Sequence, residues 1–229
     1  MSSVIPMNDV LKNSLAGAGA ALLLAVAVAG CGALPDKPAR AALYDFGPGV
    51  TAPTPPAPAA AGSVPRALPM IALAEIDANS RLDGTQLLYR LGYADSNELR
   101  PYGQSRWSQP PAQLLRQRLR EALSAGHTVL GPEESATIAR TEGRLPDTLR
   151  VTLDEFSQYF ESPQQSVGLV RVSATLSRNQ PGGDKVLAQR TFTARKPAPT
   201  QDGPGGVKAL AAASDAVVAE LVAWIDQPR

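Results

Sequence analysis

The chain has 229 residues, of which 44% are hydrophobic and 19% charged, a composition typical of one globular domain with extensions. Its 22 Lys and Arg residues nearly balance 21 Asp and Glu, so a formal net charge of +1 provides no general attraction to nucleic acid. The single cysteine, Cys31, excludes an intramolecular disulfide and a thiolate zinc site, and the single histidine, His127, excludes any site that needs two imidazoles.

The first 30 residues have the layout of a secretory signal peptide. Lys12 lies shortly before an uncharged stretch, residues 15–30, that is rich in Ala and Gly. A membrane-spanning helix needs roughly 20 strongly apolar residues, so this shorter stretch favours a cleaved signal over an uncleaved anchor helix.

Cys31 carries the sharpest prediction. Val28-Ala29-Gly30-Cys31 resembles the lipobox of bacterial lipoproteins, with Val28 in place of the usual Leu. The resemblance predicts that the mature chain begins at Cys31 with a diacylglyceryl group on the thiol and an N-acyl chain, and with no other cofactor. Two or three acyl chains hold a protein stably on a bilayer, so no second anchor is needed. In enteric bacteria, an Asp directly after the lipidated cysteine favours retention in the inner membrane. This chain has Gly32 there, which by the same resemblance indicates the outer membrane.

Residues 31–66 are predicted to form a lipidated tether that includes a first short strand at 42–46. The following stretch, 47–65, is rich in proline, which lacks the backbone N–H and restricts φ, so it forms neither a ladder nor a helix. Two interpretations remain open. The stretch is either a spacer between the membrane and the domain or a long loop after the first strand.

Residues 67–229 are predicted to form a single α+β domain, a mainly antiparallel sheet backed by two helices. Amphipathic spacing predicts helices at 110–125 and 207–226. Alternating or apolar runs bounded by turn residues predict strands at 68–77, 86–93, 99–106, 127–130, 149–156, 167–177 and 186–194. A hairpin turn is expected at residues 95–97, and another antiparallel pair is joined across 179–184.

Two patterns that resemble catalytic motifs favour structural interpretations. The glycine-rich residues 203–206 precede Lys208 and a helix, but they lack the spacing of a phosphate-binding loop, so a plain turn is expected. Asp154 and Glu155 are neighbours on a predicted strand, so their carboxylates should point to opposite faces, which excludes paired acid–base chemistry.

The cationic side chains are equally ambiguous. Arg116 and Arg120 share a helix face, where a hydrated surface pair is favoured over an anion site. His127 begins a strand without an evident partner, so a structural role is expected.

Trp107 lies between a strand and a helix, where a core position is favoured over an interface. No arrangement indicates catalysis, and the chain is predicted not to be an enzyme.

A series of short motifs runs through most of the mature chain. They are Leu88-Tyr89-Arg90, Glu98-Leu99 with Tyr102, Arg106-Trp107 with Pro110-Pro111, Leu153-Asp154-Glu155-Phe156, Ser166, Leu187-Ala188-Gln189-Arg190-Thr191-Phe192, Pro197-Ala198, Gly206-Val207 with Ala209-Leu210, and Ala213-Ser214-Asp215 with Trp224. Their order, joined to a lipobox, resembles the auxiliary lipoproteins of ABC-type transport systems, including the paraquat-inducible protein C-like lipoproteins.

This resemblance implies a periplasm-facing lipoprotein of the cell envelope that assists an MCE-type lipid or organic-solvent transport system. The implied partners are the MCE-domain protein that bridges the envelope and the inner-membrane ABC permease and ATPase. At least some members resemble ring-forming assemblies, which implies a homo-oligomer. Arg106, Trp107 and Trp224 are the candidate partner-contact or structural residues. The alternative from another class is a stand-alone periplasmic ligand-binding or envelope-structural lipoprotein.

Overall fold

Eight strands form one open sheet in the computed structural model, which describes residues 40–48, 68–135, 137, 145–180 and 182–228. The strands are β1 (Ala42–Tyr44), β2 (Met70–Ala78), β3 (Gln86–Leu91), β4 (Asp95–Trp107), β5 (Thr128–Leu130), β6 (Asp147–Ser162), β7 (Gln165–Arg178) and β8 (Lys185–Pro197). Two long helices, α1 (Pro111–Leu123) and α2 (Gly203–Ile225), pack against it. The predicted signal peptide, Cys31 and nearly all of the proline-rich stretch lie outside the described residues.

The sheet forks at β6. Along one edge, β6 pairs antiparallel with β7, which pairs antiparallel with β8. Along the other edge, the first half of β6 pairs parallel with β2, and its last part pairs parallel with β3. Strand β5 lies beyond β2, while β4 and then β1 lie beyond β3. The single α+β domain is thus confirmed, with the longest ladders antiparallel. The parallel pairings of β1, β2, β3 and β5 were not predicted.

The helices cover one face of the sheet and bury the apolar side of its strands. Leu149, Val151 and Leu153 of β6 alternate with exposed or partly exposed residues and lie fully inside the core, because side chains of a strand point alternately to its two faces. Helix α2 lies over β7 and β8, and α1 packs against β2 and α2. None of the described helices is long and apolar enough to cross a bilayer.

Helix α2 approaches the sheet most closely at Gly168 of β7. A Cβ atom at this position would lie 2.4 Å from the carbonyl carbon of Ala209 and 2.5 Å from the amide nitrogen of Leu210. Only glycine fits there without moving the helix backbone.

Two local predictions are wrong. The glycine-rich residues 203–206 are the first turn of α2 and not a turn before it, because the Asp202 side chain caps the helix and Pro204 suits its first turn. The β3–β4 turn lies at residues 92–94, where the Ala94 amide donates to the Leu91 carbonyl at 2.9 Å. The expected turn residues from Asp95 onward already belong to β4.

Candidate functional site

The N-terminal arm, residues 42–48, is docked on the domain and is the strongest candidate for a functional site. Strand β1 pairs parallel with β4, placing Leu43 opposite Arg106 and Tyr44 opposite Trp107. The Ser108 amide donates to the Tyr44 carbonyl at 2.7 Å and extends this contact. Since β1 belongs to the sheet, the chain that follows it, including the proline-rich stretch, connects β1 to β2. Both interpretations of the proline-rich stretch concern residues that lie almost entirely outside the described part of the chain, so they stay predictions.

An aromatic cluster fastens the end of the arm. The Phe46 ring lies edge-on to the Trp107 ring at 5.6 Å and stacks on the Phe156 ring at 5.9 Å. Trp107 is 1% exposed, so its position is in the core, with Phe156 edge-on at 5.5 Å. Its neighbour Arg106 is only partly buried and points away from this cluster along the strand's alternation.

Arg118 clamps the arm from α1. Its Nη2 donates to the carbonyl oxygens of Phe46 and Gly47, both at 2.9 Å, and its Nη1 donates to Asp215 Oδ1 of α2, also at 2.9 Å. The arginine is 8% exposed, and the planar guanidinium suits this fork of three acceptors. One side chain therefore joins α1, α2 and the arm.

Two opposing effects act on the pKa of Asp215, the carboxyl group of this clamp. Burial raises the pKa of the Asp215 carboxyl above its ordinary value, and the positive charge of Arg118 lowers it in part. The Arg118 guanidinium thus offsets part of the effect of burial on this carboxyl while it also binds the arm. A second carboxylate, that of Glu121 one turn further along α1, lies 4.0 Å from Arg118 Nε and is largely exposed.

Two open clefts flank the docked arm. One, of about 360 Å³, lies between β1 and the start of α2 and is lined by Leu43, Phe46, Val207 and Lys208 among others. The other, of about 120 Å³, lies beside Arg118 on the α1 side. Residues of the arm line both clefts.

A chain of hydrogen bonds holds the beginning of α2 on the sheet. The Tyr102 hydroxyl donates to Gln158 Oε1 at 2.6 Å, Gln158 Nε2 donates to Ser166 Oγ at 2.8 Å, and the Ser166 hydroxyl donates to Gln201 Oε1 at 2.5 Å. Gln158 is fully buried, so the chain satisfies an amide that would otherwise be costly. Burial raises the pKa of the Tyr102 phenol.

The cap of α2 adjoins this chain. Asp202 Oδ1 accepts from the Gly205 amide at 2.8 Å and from the Thr200 hydroxyl at 2.6 Å. The Thr200 hydrogen bond is the main reason that the pKa of Asp202 is lowered, with the helix amide adding to it. The Asp202 carboxylate therefore occupies the position where an anion would otherwise bind at this glycine-rich helix start.

The prediction that Asp154 and Glu155 face opposite sides is wrong. A β-bulge in β6 between Leu153 and Glu155 places both carboxylates on the helix-free face. Asp154 accepts from the Ser173 hydroxyl at 2.7 Å, and Glu155 makes a two-pronged pair with Arg90 of β3, with Oε2 3.1 Å from Nη2. The Arg90–Glu155 pair thereby links β3 to β6 near the point where the sheet forks. Both carboxylates therefore have structural partners.

The remaining cationic candidates have structural partners. Arg116 pairs with Glu75 at 3.0 Å, and Arg120 lies 3.7 Å from Glu134. His127 Nε2 lies 3.5 Å from Asp226 Oδ1, at the place where α1 and α2 both end. Within the described ranges, no group of His, Cys, Asp and Glu has the arrangement of a metal site.

A family model described as the ABC-type transport auxiliary lipoprotein component matches residues 51–222. The chain belongs to this family. A search of curated proteins found no match.

Two solved structures share the fold of this family member. The first is protein XCC0632 from Xanthomonas campestris, with 20% identity and a TM-score of 0.57, covering 69% of this chain and 87% of that one. The second is an uncharacterised protein with 18% identity and a TM-score of 0.56, covering 82% of this chain and 99% of that one. At these identities the likeness concerns the fold alone.

Many of the motif residues that resemble the auxiliary lipoproteins lie in the scaffold of this family member. Trp224 of α2 is buried edge-on against Phe192 of β8, with ring centroids 5.7 Å apart. Sequence reasoning missed Arg118, although its spacing from Leu114 and Leu115 places it on the apolar face of α1. A cation on that face is the signal that could have revealed the clamp.

Proposed function

We propose that this auxiliary lipoprotein is a non-enzymatic accessory subunit of an ABC-type intermembrane transport system in which an MCE-domain protein bridges the envelope and carries lipid or organic solvent. The observation that carries the proposal is the family match over residues 51–222. The ordered motifs that resemble the paraquat-inducible protein C-like lipoproteins support the MCE assignment.

The anchor in this proposal is Cys31, lipidated and inserted in the outer membrane with the domain facing the periplasm. From Cys31 to Ala42 the chain can span at most about 40 Å, at roughly 3.6 Å per extended residue. If the arm were free, the proline-rich stretch would add about 60 Å at roughly 3.1 Å per residue. The docked arm thus supports a domain held close to the membrane as a docking platform for the bridging protein.

Affinity purification tests the transport assignment. A C-terminally tagged full-length chain is expressed in its own bacterium, and detergent-solubilised envelopes are analysed by mass spectrometry. Recovery of the MCE-domain protein or of the permease and ATPase is expected. Recovery of neither, together with a specifically bound lipid on the isolated monomer in native mass spectrometry, would favour the stand-alone ligand-binding lipoprotein.

The Cys31→Ser variant tests the anchor separately. It should release a folded domain from the membrane, lose metabolic labelling with a fatty acid and abolish transport. Density-gradient separation of the envelope should place the unchanged protein in the outer-membrane fraction. If the variant stayed membrane-bound, the anchor proposal would be wrong.

A further inference from the structure

Strand β8 (Lys185–Pro197) is a long open edge of the sheet. It pairs with β7 on one side, and no strand of the described residues pairs with its other side. The remaining ends of the sheet, β1 and β5, are three residues long each. An edge of this length offers a row of backbone donors and acceptors to a further strand.

The β8 edge is strongly cationic. The strand carries four cationic side chains and no carboxylate, in a chain with a net charge of only +1. Within the described part of the chain, no carboxylate lies at ion-pair distance from Lys185, Arg190 or Lys196, and only Arg195 is paired, with Glu161 at 2.5 Å. Arg190 lies over the Phe192 ring at 5.1 Å, which holds its guanidinium in place.

The cations have a definite spacing. Register with β7 places Arg190 and Lys196 opposite Ala174 and Gly168, on the face that carries the helices. Arg195 lies opposite Leu169 and therefore on the other face. Arg190 and Lys196 are six positions apart, roughly 20 Å at about 3.4 Å per residue.

These features exclude two occupants of the edge. A second copy of β8 would bring four more cations and no carboxylate to this edge, so no register could give a cation of one copy a carboxylate of the other, and like charges that came directly opposite would be destabilising. The chain's own proline-rich stretch contains no carboxylate, and its prolines cannot donate to a ladder.

We propose that the β8 edge binds an extended acidic segment of another subunit of the transport system as an added strand. This inference rests on the proposed function. The segment carries carboxylates on one face, six positions apart, which lie beside Arg190 and Lys196. Its backbone completes the ladder of β8, and the acidic side chains select it against uncharged strands.

Site-specific photo-crosslinking in cells tests the proposal. Benzoylphenylalanine is placed singly at Thr191 and Thr193 of β8 in the full-length chain, and at Thr152 and Arg81 as positions away from the edge. Cross-linked peptides are sequenced. The expected product joins β8 to an acidic segment of a transport subunit, with carboxylates at the stated spacing.

Charge reversal provides the second measurement. The double variant Arg190→Glu with Lys196→Glu should reduce this cross-link about tenfold, because two attractive cross-strand pairs become repulsive. The control, Arg81→Glu with Arg40→Glu, makes the same change in net charge at two exposed residues outside β8 and should leave the cross-link unchanged. Circular dichroism establishes that both variants are folded.

The outcomes separate this inference from the proposed function. Cross-links from β8 to a second copy, to lipid or to a segment without carboxylates would overturn the inference, as would equal loss in both charge variants. If Thr152 or Arg81 cross-links to a transport subunit while β8 does not, the edge is not the binding surface and the transport function stands. If the chain co-purifies with no transport subunit and none of the four positions cross-links to one, the proposed function itself fails.

Discussion

Arg118 Nη1 and Asp215 Oδ1 meet at 2.9 Å between the two helices, while the other terminal nitrogen of the same guanidinium holds the main chain at Phe46 and Gly47. The pair therefore connects the scaffold to the arm that leads towards the proposed lipid anchor. It affects two properties that can be measured separately, the free energy of unfolding of the domain and the attachment of the arm to it.

Replacing Arg118 with methionine should destabilise the domain by about 2 kcal/mol, because the buried carbonyls and the Asp215 carboxylate lose their donor. Urea unfolding measures this change. Arg120→Met is the matched control on the same helix, since Arg120 is partly exposed and 3.7 Å from its partner, and its change should stay within about 0.5 kcal/mol. Equal effects would show that Arg118 has no special role. Hydrogen exchange should also accelerate at residues 44–47 in Arg118→Met.

The cost of Arg118→Met should depend on pH. Asp215 has a raised folded pKa, so protonation at low pH favours the folded state, and stability from this group is lost as pH rises through that pKa. Without the guanidinium this pKa rises further, so the variant loses more stability between pH 4 and pH 7 than the unchanged protein. Urea unfolding across this range measures the difference. A cost of Arg118→Met that grew on acidification would contradict the assignment.

Asp202 should show the opposite dependence. Its folded pKa is lowered, so its contribution is present above the unfolded value near 3.8 and is lost as pH falls through the lowered pKa. Asp202→Ala removes the cap of α2 and should cost about 1 kcal/mol at pH 7. The difference should shrink in acid unfolding below pH 4. Asp83→Ala, in the exposed β2–β3 turn, is the control and should change little at either pH.

The sequence was sufficient for features that depend on local periodicity. Seven of the strands and both helices follow from alternating or helical spacing, and the core position of Trp107 follows from its place between a strand and a helix. The fork at β6 depends on which distant strands meet, so neither its parallel partners nor the Arg90–Glu155 pair could be predicted. The bulge at Asp154 reversed one side-chain direction because a single inserted residue shifts the alternation.

Gly168→Ala should destabilise the domain by about 2 kcal/mol or more, because the new Cβ would lie 2.4 Å from the α2 backbone and rigid helix atoms cannot give way as a flexible side chain can. Thermal unfolding measures the loss. Gly103→Ala in β4 meets no atom within 4 Å and should be neutral or slightly stabilising. If both variants had the same melting temperature, the close approach of α2 to β7 would be wrong.

The docked arm predicts that the same insertion has different effects on its two sides. A flexible Gly/Ser segment of about 20 residues adds roughly 25 Å of root-mean-square reach. Placed between Pro35 and Asp36, it lengthens the connection between the proposed lipid anchor and β1, and transport should fall. Placed between Pro55 and Pro56, it enlarges a loop whose two ends enter the domain at β1 and β2. Transport should then stay near the unchanged level, because loop lengthening costs only about 0.6 kcal/mol per doubling.

Growth in the presence of a membrane-perturbing compound measures transport in both insertion variants, and immunoblots of envelope fractions establish equal amounts. Combining the second insertion with Arg118→Met weakens the clamp, so the arm detaches more often and the longer loop then adds to the reach of the domain. That combination should lower transport although neither site touches a ligand. If the insertion at Pro55 alone were as harmful as the one at Pro35, the arm would not be what holds the domain near the membrane.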